Sequence, residues 1–262
     1  MITAGVDVGS ATTKAAVLDA VATQIVATWQ EPTSWSPSET GARALARVLE
    51  IAELGREQVA CVAGTGYGRF ALAEADLRVT EITCHAQGAH LLAPETSTVI
   101  DIGGQDSKAI ALAPDGKPET FAMNDKCAAG TGRFLEFMAR ALDVELMELG
   151  QLALHSEAPA PISSVCTVFA ESEVVGLLAD GVPREDIAAG LCRAVAQRAM
   201  ALANQVGVRE PVMVTGGVAL NDGIIAALAA ELGFEPLRVQ APQMVGAIGA
   251  ASVGAERMTR DE

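Results

Sequence analysis

The sequence predicts an α/β protein built from two related halves. Short apolar runs alternate with longer stretches in which apolar residues follow a helical period. Two turns, in residues 7–14 and 101–108, share the pattern Asp-x-Gly-(Ser/Gly)-x-x-x-Lys, and each continues into a strand of small apolar residues. Such self-similarity indicates a repeated architecture. Half of the 262 residues are hydrophobic, so the chain can bury a sizeable core in one large domain or two moderate ones.

The composition argues against several kinds of partner. The chain has 18 basic and 33 acidic residues and a formal net charge of −15, which disfavours binding to nucleic acid or to an anionic membrane surface. Its start lacks the basic region and the long apolar run of a signal peptide, and no uninterrupted apolar segment reaches membrane-spanning length. We therefore expect a cytoplasmic protein whose five cysteines are thiols or ligands rather than disulfides.

In the first half, four apolar runs predict strands, and they cover residues 2–8, 14–18, 24–28 and 59–63. Two prolines and several hydroxyl residues predict a loop over residues 31–38. The helical spacing of apolar residues from Leu45 to Ala52 predicts a helix that ends at Gly55. A glycine-rich loop over residues 64–69 and a second helix over residues 84–92 complete this half.

The second half repeats the strand–turn–strand and then becomes mainly helical, with strands expected over residues 98–102 and 109–112. Ser163 or Ser164 can cap a helix that runs to about Ala179, so Cys166 falls near a helix N-terminus. A long helix is expected at residues 186–206 and a strand at residues 211–214. Two further helices are expected to begin at Asn221 and at Gly246. The last helix is rich in Gly and Ala, which allow close approach to a ligand or another backbone.

The most informative stretch is residues 124–134, where a cysteine and a Gly-Thr-Gly sequence meet at a predicted helix start. Asn124 and Asp125 are good N-caps because their side-chain oxygens can accept free amide hydrogens of a first turn. A helix N-terminus carries partial positive charge, which favours the thiolate of Cys127 and any anion bound nearby. This stretch could therefore hold a phosphate or an anionic metal cluster. It could also couple a phosphate site to a cluster.

Glycine-rich turns that follow strands hold phosphates through their backbone amides. A third turn, Thr-Gly-Gly at residues 215–217, joins the two matched ones. Asp7 and Asp101 stand at the matched tips, where a carboxylate can hold Mg²⁺ through water, and two facing tips would make a cleft. Asp is also a common turn former, but its repetition with matched Gly and Lys favours the site. The chain lacks a Walker-type motif, so another kind of phosphate site is expected.

These motifs resemble those of a known group of ATPases. The two Asp-x-Gly turns and Thr215-Gly216-Gly217 resemble the phosphate loops and adenosine loop of the sugar kinase, chaperone ATPase and actin superfamily. More narrowly, residues 124–134 and 166–173 resemble the activator component of 2-hydroxyacyl-CoA dehydratases, and equally the homologous ATPase subunits of benzoyl-CoA reductase. The resemblance covers essentially the whole chain, and these two long motifs are very specific.

The resemblance implies two ribonuclease-H-like domains of the actin-like ATPase type, with a cleft for ATP or ADP and Mg²⁺. We place them at residues 1–93 and 94–262, with a C-terminal helix at about 243–257 packing back on the first half. It also implies a homodimer, or a complex with a related ATPase subunit, that shares one 4Fe–4S cluster. By motif match each subunit supplies Cys127 and Cys166, and four thiolates are the usual ligand set of such a cluster.

The site residues that follow from these motifs fall into three groups. Catalysis is assigned to Asp7, Asp101 and Gln105, of which the two aspartates also hold Mg²⁺ through water. Nucleotide binding is assigned to the glycine-rich turns and their neighbours: Gly9, Ser10, Thr12, Thr13, Lys14, Gly103, Gly104, Gly130, Thr131, Gly132, Thr215, Gly216, Gly217, Asn221 and Gly246. The cluster ligands are Cys127 and Cys166, whereas Cys61 and Cys192 lie inside apolar elements and are expected in the core.

Two functions of different classes stay open. In the first, a ferredoxin or flavodoxin loads an electron onto the cluster, and ATP hydrolysis drives it at low potential to a partner dehydratase or benzoyl-CoA reductase component. In the second, the chain is a small-molecule kinase of the same superfamily, with an acceptor pocket and no cluster. The paired cysteine motifs favour the first. The motifs do not separate a dehydratase activator from a reductase component, since they carry the shared step.

Overall fold

The computed structural model describes residues 1–163 and 166–260. The described chain divides into two compact units. Unit 1 comprises Met1–Thr96, Leu112–Glu119 and the C-terminal residues from Gln243, and unit 2 comprises Ser97–Ala111 and Thr120–Pro242. No helix in the described ranges combines the length and apolar character needed to cross a membrane.

Unit 1 is built on a five-stranded mixed sheet with strand order β3-β2-β1-β4-β5. The strands are β1 (Ile2–Val8), β2 (Thr12–Asp19), β3 (Gln24–Pro32), β4 (Cys61–Thr65) and β5 (Leu77–Arg78). β1 runs antiparallel to β2 and parallel to β4, so it lies at the centre of the sheet. Its buried side chains and those of helix α1 (Pro37–Ile51) form one apolar core of Val, Leu and Ala.

Two further helices of unit 1, α2 (Glu81–Leu92) and α8 (Val245–Arg260), pack together, and α8 also lies against β1 and β4. Glycines make this packing close. A Cβ on Gly5 would overlap the carbonyl oxygen of Ala247, and a Cβ on Gly249 would overlap that of Cys84. The Gly/Ala composition of α8 is therefore required by a close approach of backbones.

The second sheet has four strands in the order β8-β7-β6-β9. They are β6 (Thr98–Ile102), β7 (Ser107–Leu112), β8 (Pro118–Asn124) and β9 (Val212–Thr215). β6 is antiparallel to β7 and parallel to β9, which repeats the arrangement of β1 with β2 and β4. The helices that follow in unit 2 are α3 (Gly132–Ala141), α4 (Leu146–Ala153), α5 (Thr167–Ala179), α6 (Arg184–Val206) and α7 (Asp222–Leu232). Their apolar faces form the larger core.

Most elements appear where the sequence predicted them, including β1, β6 and the Asn221 cap of α7. Three details were wrong. β3 continues through Pro32, which leaves a short loop before α1. α1 ends at Ile51 rather than at Gly55, and α2 begins at Glu81 with Thr80 as its N-cap. β5, β8 and α4 were not predicted. β5 has only two residues and β8 is a mostly exposed edge strand, so both depend on tertiary pairing. The helical spacing of Leu146, Leu149 and Ala153 in α4 was overlooked.

Candidate functional site: matched Asp–Lys–Thr tips and an exposed cysteine loop

The two matched turns have the same internal geometry. In unit 1, Asp7 and Lys14 are opposite each other on β1 and β2, and Lys14 Nζ lies 3.2 Å from Asp7 Oδ2. In unit 2, Asp101 and Lys108 are opposite each other on β6 and β7, with Nζ 3.3 Å from Oδ2. The spacing of seven residues in the motif thus forms a hairpin whose ends join a carboxylate and an ammonium group.

The repeat extends beyond the Asp-x-Gly turns that the sequence analysis matched. The parallel neighbour strand places Thr65 beside Asp7 and Thr215 beside Asp101. Each threonine is followed by a glycine in the left-handed region, Gly66 with φ +87° and Gly216 with φ +88°. Residues 64–69 were read only as a glycine-rich loop. The Thr-Gly pair after an apolar run in both halves is the signal that would have matched them.

The backbones of Gly66 and Gly216, both in the left-handed region, lie close to the carboxylates of Asp7 and Asp101. A Cβ on Gly66 would lie 2.5 Å from Asp7 Oδ1, and one on Gly216 would lie 2.8 Å from Asp101 Oδ1. A side chain is excluded at both positions by the backbone angle and by the carboxylate. The glycines therefore allow the backbone to approach the carboxylates closely, as a phosphate-binding turn requires.

The remaining residues of the first turn have different environments. A Cβ on Gly9 would lie 2.7 Å from the carbonyl oxygen of Thr12, so the tight turn requires glycine. Thr33 Oγ1 donates to the Gly9 carbonyl at 2.8 Å and is bonded to the fully buried Thr13 hydroxyl at 2.9 Å. Ser10 and Thr12 are partly exposed at the tip. The structure thus places Ser10 and Thr12 where a ligand can reach them, and Thr13 in an internal contact.

The second turn is bound to the start of α3. Gly132 N donates to the Gly103 carbonyl at 2.9 Å, and Arg133 N donates to the Gly104 carbonyl at 2.9 Å. Ser107 Oγ donates to the Gly130 carbonyl at 2.7 Å. Gly103, Gly104 and the Gly-Thr-Gly of residues 130–132 therefore converge in one hydrogen-bonded unit, while the neighbouring Gln105 is exposed.

The predicted helix start at Cys127 was wrong. α3 begins at Gly132 with Thr131 as its N-cap, and Asn124 is the last residue of β8. The Asn124 amide instead donates to the Cys127 carbonyl at 2.9 Å. Gly130 has φ +85°, which interrupts a helix at this point. Cys127 therefore lies in an exposed loop before the helix, and its environment is not that of a helix N-terminus.

The prediction for Cys166 is confirmed in its main point. Cys166 is exposed and is the N-cap of α5, which ends at Ala179 as expected. Ser163 does not cap this helix. Its backbone N and its Oγ are bonded to Glu173 Oε1 at 3.0 and 2.8 Å. Ser164, the other predicted cap, lies outside the described residues.

The other three cysteines are buried, as expected for Cys61 and Cys192. Burial raises the pKa of the Cys84 and Cys192 thiols to about 12 and also raises the pKa of Cys61. Metal ligation requires a thiolate, which a buried, apolar environment disfavours. Within residues 1–163 and 166–260, no three acidic, histidine or cysteine side chains are grouped to hold a metal ion. Cys127 and Cys166, in contrast, are both exposed.

Two predicted nucleotide-binding residues have clear structural contacts. Asn221 Oδ1 accepts from Ile224 N at 3.0 Å, so it caps α7. Gly246, at the start of α8, faces Asp7, because a Cβ there would lie 3.3 Å from Asp7 Oδ2 and 3.0 Å from His85 Nε2. The Thr-Gly-Gly turn is fixed through Gly216 N, which donates to the Pro242 carbonyl at 3.1 Å.

Sequence reasoning missed Arg198, a half-buried residue of α6 that lines a pocket of about 220 Å³ together with Cys127. Its guanidinium carbon lies 5.4 Å from the centre of the Phe134 ring. A Cβ on Gly130 would lie 3.1 Å from the Arg198 stem. The Arg198 side chain therefore packs against the loop of Cys127. No local pattern in the sequence indicates this contact.

Comparisons of the whole fold define the class of protein. The structure superimposes with a TM-score of 0.95 and 43% identity on component A of (R)-2-hydroxyglutaryl-CoA dehydratase from Acidaminococcus fermentans, covering 99% of both chains. It matches the activator of 2-hydroxyisocaproyl-CoA dehydratase from Clostridium difficile with bound ADPNP at a TM-score of 0.92 and 41% identity, covering 100% of this chain and 97% of that one. The protein is an ATPase of the actin-like type, which confirms the predicted fold class.

The chain belongs to the BadF/BadG/BcrA/BcrD ATPase family, whose model matches residues 4–254. It is 47% identical over 255 residues to the activator of lactoyl-CoA dehydratase from Anaerotignum propionicum, with 96% of each chain covered. It is 34% identical over 273 residues to one of the subunits of benzoyl-CoA reductase from Thauera aromatica, with 98% of this chain and 94% of the relative covered. The resemblance that the motifs indicated is therefore confirmed.

Proposed function

We propose that this ATPase is an electron-transfer activator that couples ATP hydrolysis to low-potential, one-electron reduction of a 2-hydroxyacyl-CoA dehydratase. The observation that carries the proposal is the hydrogen-bonded connection between the second glycine turn and the loop of Cys127. Gly132 N and Arg133 N bind the carbonyls of Gly103 and Gly104 at 2.9 Å each. If the second glycine turn shifts with nucleotide state, the hydrogen-bonded start of α3 would shift with it. The loop of Cys127 would then move as well, because few residues separate Cys127 from the start of α3.

The two exposed cysteines support a 4Fe–4S cluster shared between two copies of the chain. When bound, such a cluster accepts and releases one electron. Cys127 and Cys166 would supply two of its four thiolates, and a twofold axis would supply the same pair again. Val168 and Phe169, which follow Cys166 on α5, are 67% and 68% exposed. Such apolar exposure beside a ligand supports coverage by a second copy.

The nucleotide would be held by the glycine turns through backbone amides, with Asp7 and Asp101 as carboxylates for water-bound Mg²⁺. The ion pairs to Lys14 and Lys108 orient both carboxylates in advance. A reduced ferredoxin or flavodoxin would be the donor. The chain itself would touch neither the acyl-CoA substrate nor its product.

The runner-up function is that of an ATPase component of benzoyl-CoA reductase. Identity is 47% to the lactoyl-CoA dehydratase activator and 34% to the reductase component, which favours the dehydratase partner. A small-molecule kinase is disfavoured, because it gives no role to two exposed cysteines in ligand-type motifs.

The test is reconstitution under strict anaerobiosis. Protein reduced with dithionite would be mixed with a clostridial dehydratase component and its 2-hydroxyacyl-CoA, with ATP, ADP or no nucleotide. We expect brown protein, and product only with ATP. Colourless protein, or equal product formation with ADP, would overturn the proposal. Product formation with a benzoyl-CoA reductase partner alone would select the runner-up.

A further inference from the structure

The two matched Asp–Lys–Thr sets differ in their hydrogen bonds. In unit 2 the set is closed on itself. Thr215 Oγ1 donates to Asp101 Oδ1 at 3.0 Å, and Lys108 Nζ lies 3.3 Å from Asp101 Oδ2. Lys108 Nζ also lies 2.5 Å from Asp106 Oδ2, an ion-pair contact to an oxygen that has no hydrogen bond of normal geometry within the described residues. Both oxygens of Asp101 therefore have a partner within the protein, and the side chains of Asp101 and Lys108 are each only 3% exposed.

In unit 1 the equivalent hydrogen bond is missing. Lys14 Nζ lies 3.2 Å from Asp7 Oδ2, but Asp7 Oδ1 makes no hydrogen bond to any described residue. Thr65 Oγ1 is buried and has no hydrogen-bond partner of normal geometry in the described part of the chain. The neighbouring polar group is the Cys84 thiol, which is a weak partner. Buried hydroxyls without a strong partner are uncommon, and one beside a candidate phosphate turn is suited to bind a ligand.

These two groups lie together. Asp7 and Thr65 are opposite each other on adjacent parallel strands, so their side chains lie on the same face of the sheet. Three glycines approach the Asp7 carboxylate, namely Gly9, Gly66 and Gly246, so none of these positions carries a side chain that could cover it. The Asp7 side chain is 10% exposed, about three times the exposed fraction of Asp101.

We propose that the two matched sets differ in the task of their threonines. Asp7 Oδ1 and Thr65 Oγ1 form a polar subsite that binds a hydrogen-bonding ligand at the phosphate end of the nucleotide. In unit 2 the equivalent Thr215 hydroxyl is already bonded to Asp101, so it holds that carboxylate and the second turn in place and forms no such subsite. Thr65 is therefore a further residue of the nucleotide site. The inference rests on the ATPase activity of the family and not on the cluster, so it can fail while the electron-transfer role holds.

Valine is nearly isosteric with threonine and suits a strand, so Thr65→Val and Thr215→Val are matched probes. Thr65→Val should lower the rate of ATP hydrolysis or the affinity for ADP about tenfold or more, as expected for a lost hydrogen bond to a charged ligand. The melting temperature without nucleotide should be unchanged or higher, because the internal partner of the hydroxyl is the Cys84 thiol, which is a weak one. Thr215→Val should lower the melting temperature, because it deprives buried Asp101 of a donor.

Thr96→Val is the control. Thr96 Oγ1 is also buried without a hydrogen-bond partner among the described residues, but it is not in either turn. The melting temperature of Thr96→Val should equal that of Thr65→Val. Its rate of ATP hydrolysis should equal that of the unchanged protein. Normal ATP hydrolysis and ADP affinity in Thr65→Val, measured on the full chain, would overturn the proposal. So would a Thr215→Val protein as stable as the parent.

Discussion

At the scale of single residues, the cysteines divide by their environment. Three are buried, and burial holds the pKa of Cys84 and Cys192 at about 12, so these thiols are poor nucleophiles and poor ligands. Cys127 and Cys166 are exposed, one in a loop and one at the start of α5. Sequence context predicted this division for four of the five, because Cys61 and Cys192 stand in apolar elements and Cys127 and Cys166 in the two long motifs, whereas the burial of Cys84 was not predicted.

Replacing either exposed cysteine should abolish the cluster. Cys127→Ser and Cys166→Ser would each remove one thiolate from the ligand set that we propose for a cluster between two chains, and serine is a poor substitute at such a site. Iron and acid-labile sulfide in anaerobically purified protein measure this outcome. Cys192→Ala is the control, and it should keep a normal iron content. A full 4Fe–4S complement in either serine variant would show that the ligand assignment is wrong.

Replacing Asp7 or Asp101 by asparagine should affect the stability of the protein to different extents. Asp7→Asn should nearly abolish ATP hydrolysis with little loss of stability, because only the Lys14 pair is weakened. Asp101→Asn should also lower the free energy of unfolding by about 1–3 kcal/mol, because it weakens a buried network with Lys108 and Thr215. Steady-state hydrolysis and chemical unfolding measure the two effects. Wild-type turnover in both variants would contradict the two-turn site.

At the scale of elements, the repeated turn could be predicted because its signal is local. Asp7, Gly9 and Lys14 recur as Asp101, Gly103 and Lys108, and the hairpin follows from that spacing. The start of α3 could not be predicted in the same way. Gly130 takes a left-handed conformation, which interrupts the helix after Cys127, and it lies against the stem of Arg198, a residue distant in sequence.

The match between Thr65-Gly66 and Thr215-Gly216 was missed for a related reason. The two pairs become equivalent only when β4 lies beside β1 and β9 beside β6. Parallel pairing brings together residues far apart in the chain, so it leaves no short-range periodicity to read. The pairing thus reveals a site residue that spacing alone did not.

Alanine at two glycines should have opposite effects on stability. Gly130→Ala forces a side chain into the left-handed region and to 3.1 Å from Arg198, so it should cost about 1–2 kcal/mol. Gly176→Ala places a Cβ in open space within α5 and should add about 1 kcal/mol through helix propensity. Denaturant unfolding of both variants measures the difference. A Gly130→Ala protein of parental stability would contradict the loop conformation.

The hydrogen bond from Ser107 to the Gly130 carbonyl links β7 to the cysteine loop. If this link transmits nucleotide state, Ser107→Ala should reduce the difference between ATP and ADP in the accessibility of the cluster iron. ATP hydrolysis itself should change less than this difference does. A variant that keeps the full ATP–ADP difference would show that the signal travels by another route.

At the scale of the whole molecule, the central claim is one of coupling. The proposed function requires that nucleotide bound at the glycine turns change the environment of a cluster held by Cys127 and Cys166. A ligand can shift a conformational equilibrium only by its differential affinity for the two states, so ATP and ADP must differ in their contacts.

The most direct measurement is the rate at which an iron chelator removes iron from the reduced protein, in ATP and in ADP, with the electron paramagnetic resonance spectrum recorded alongside. We predict chelation rates that differ at least severalfold between the two nucleotides, and a spectrum that changes with them. Equal rates together with an unchanged spectrum would contradict the coupling, because hydrolysis would then not reach the cluster.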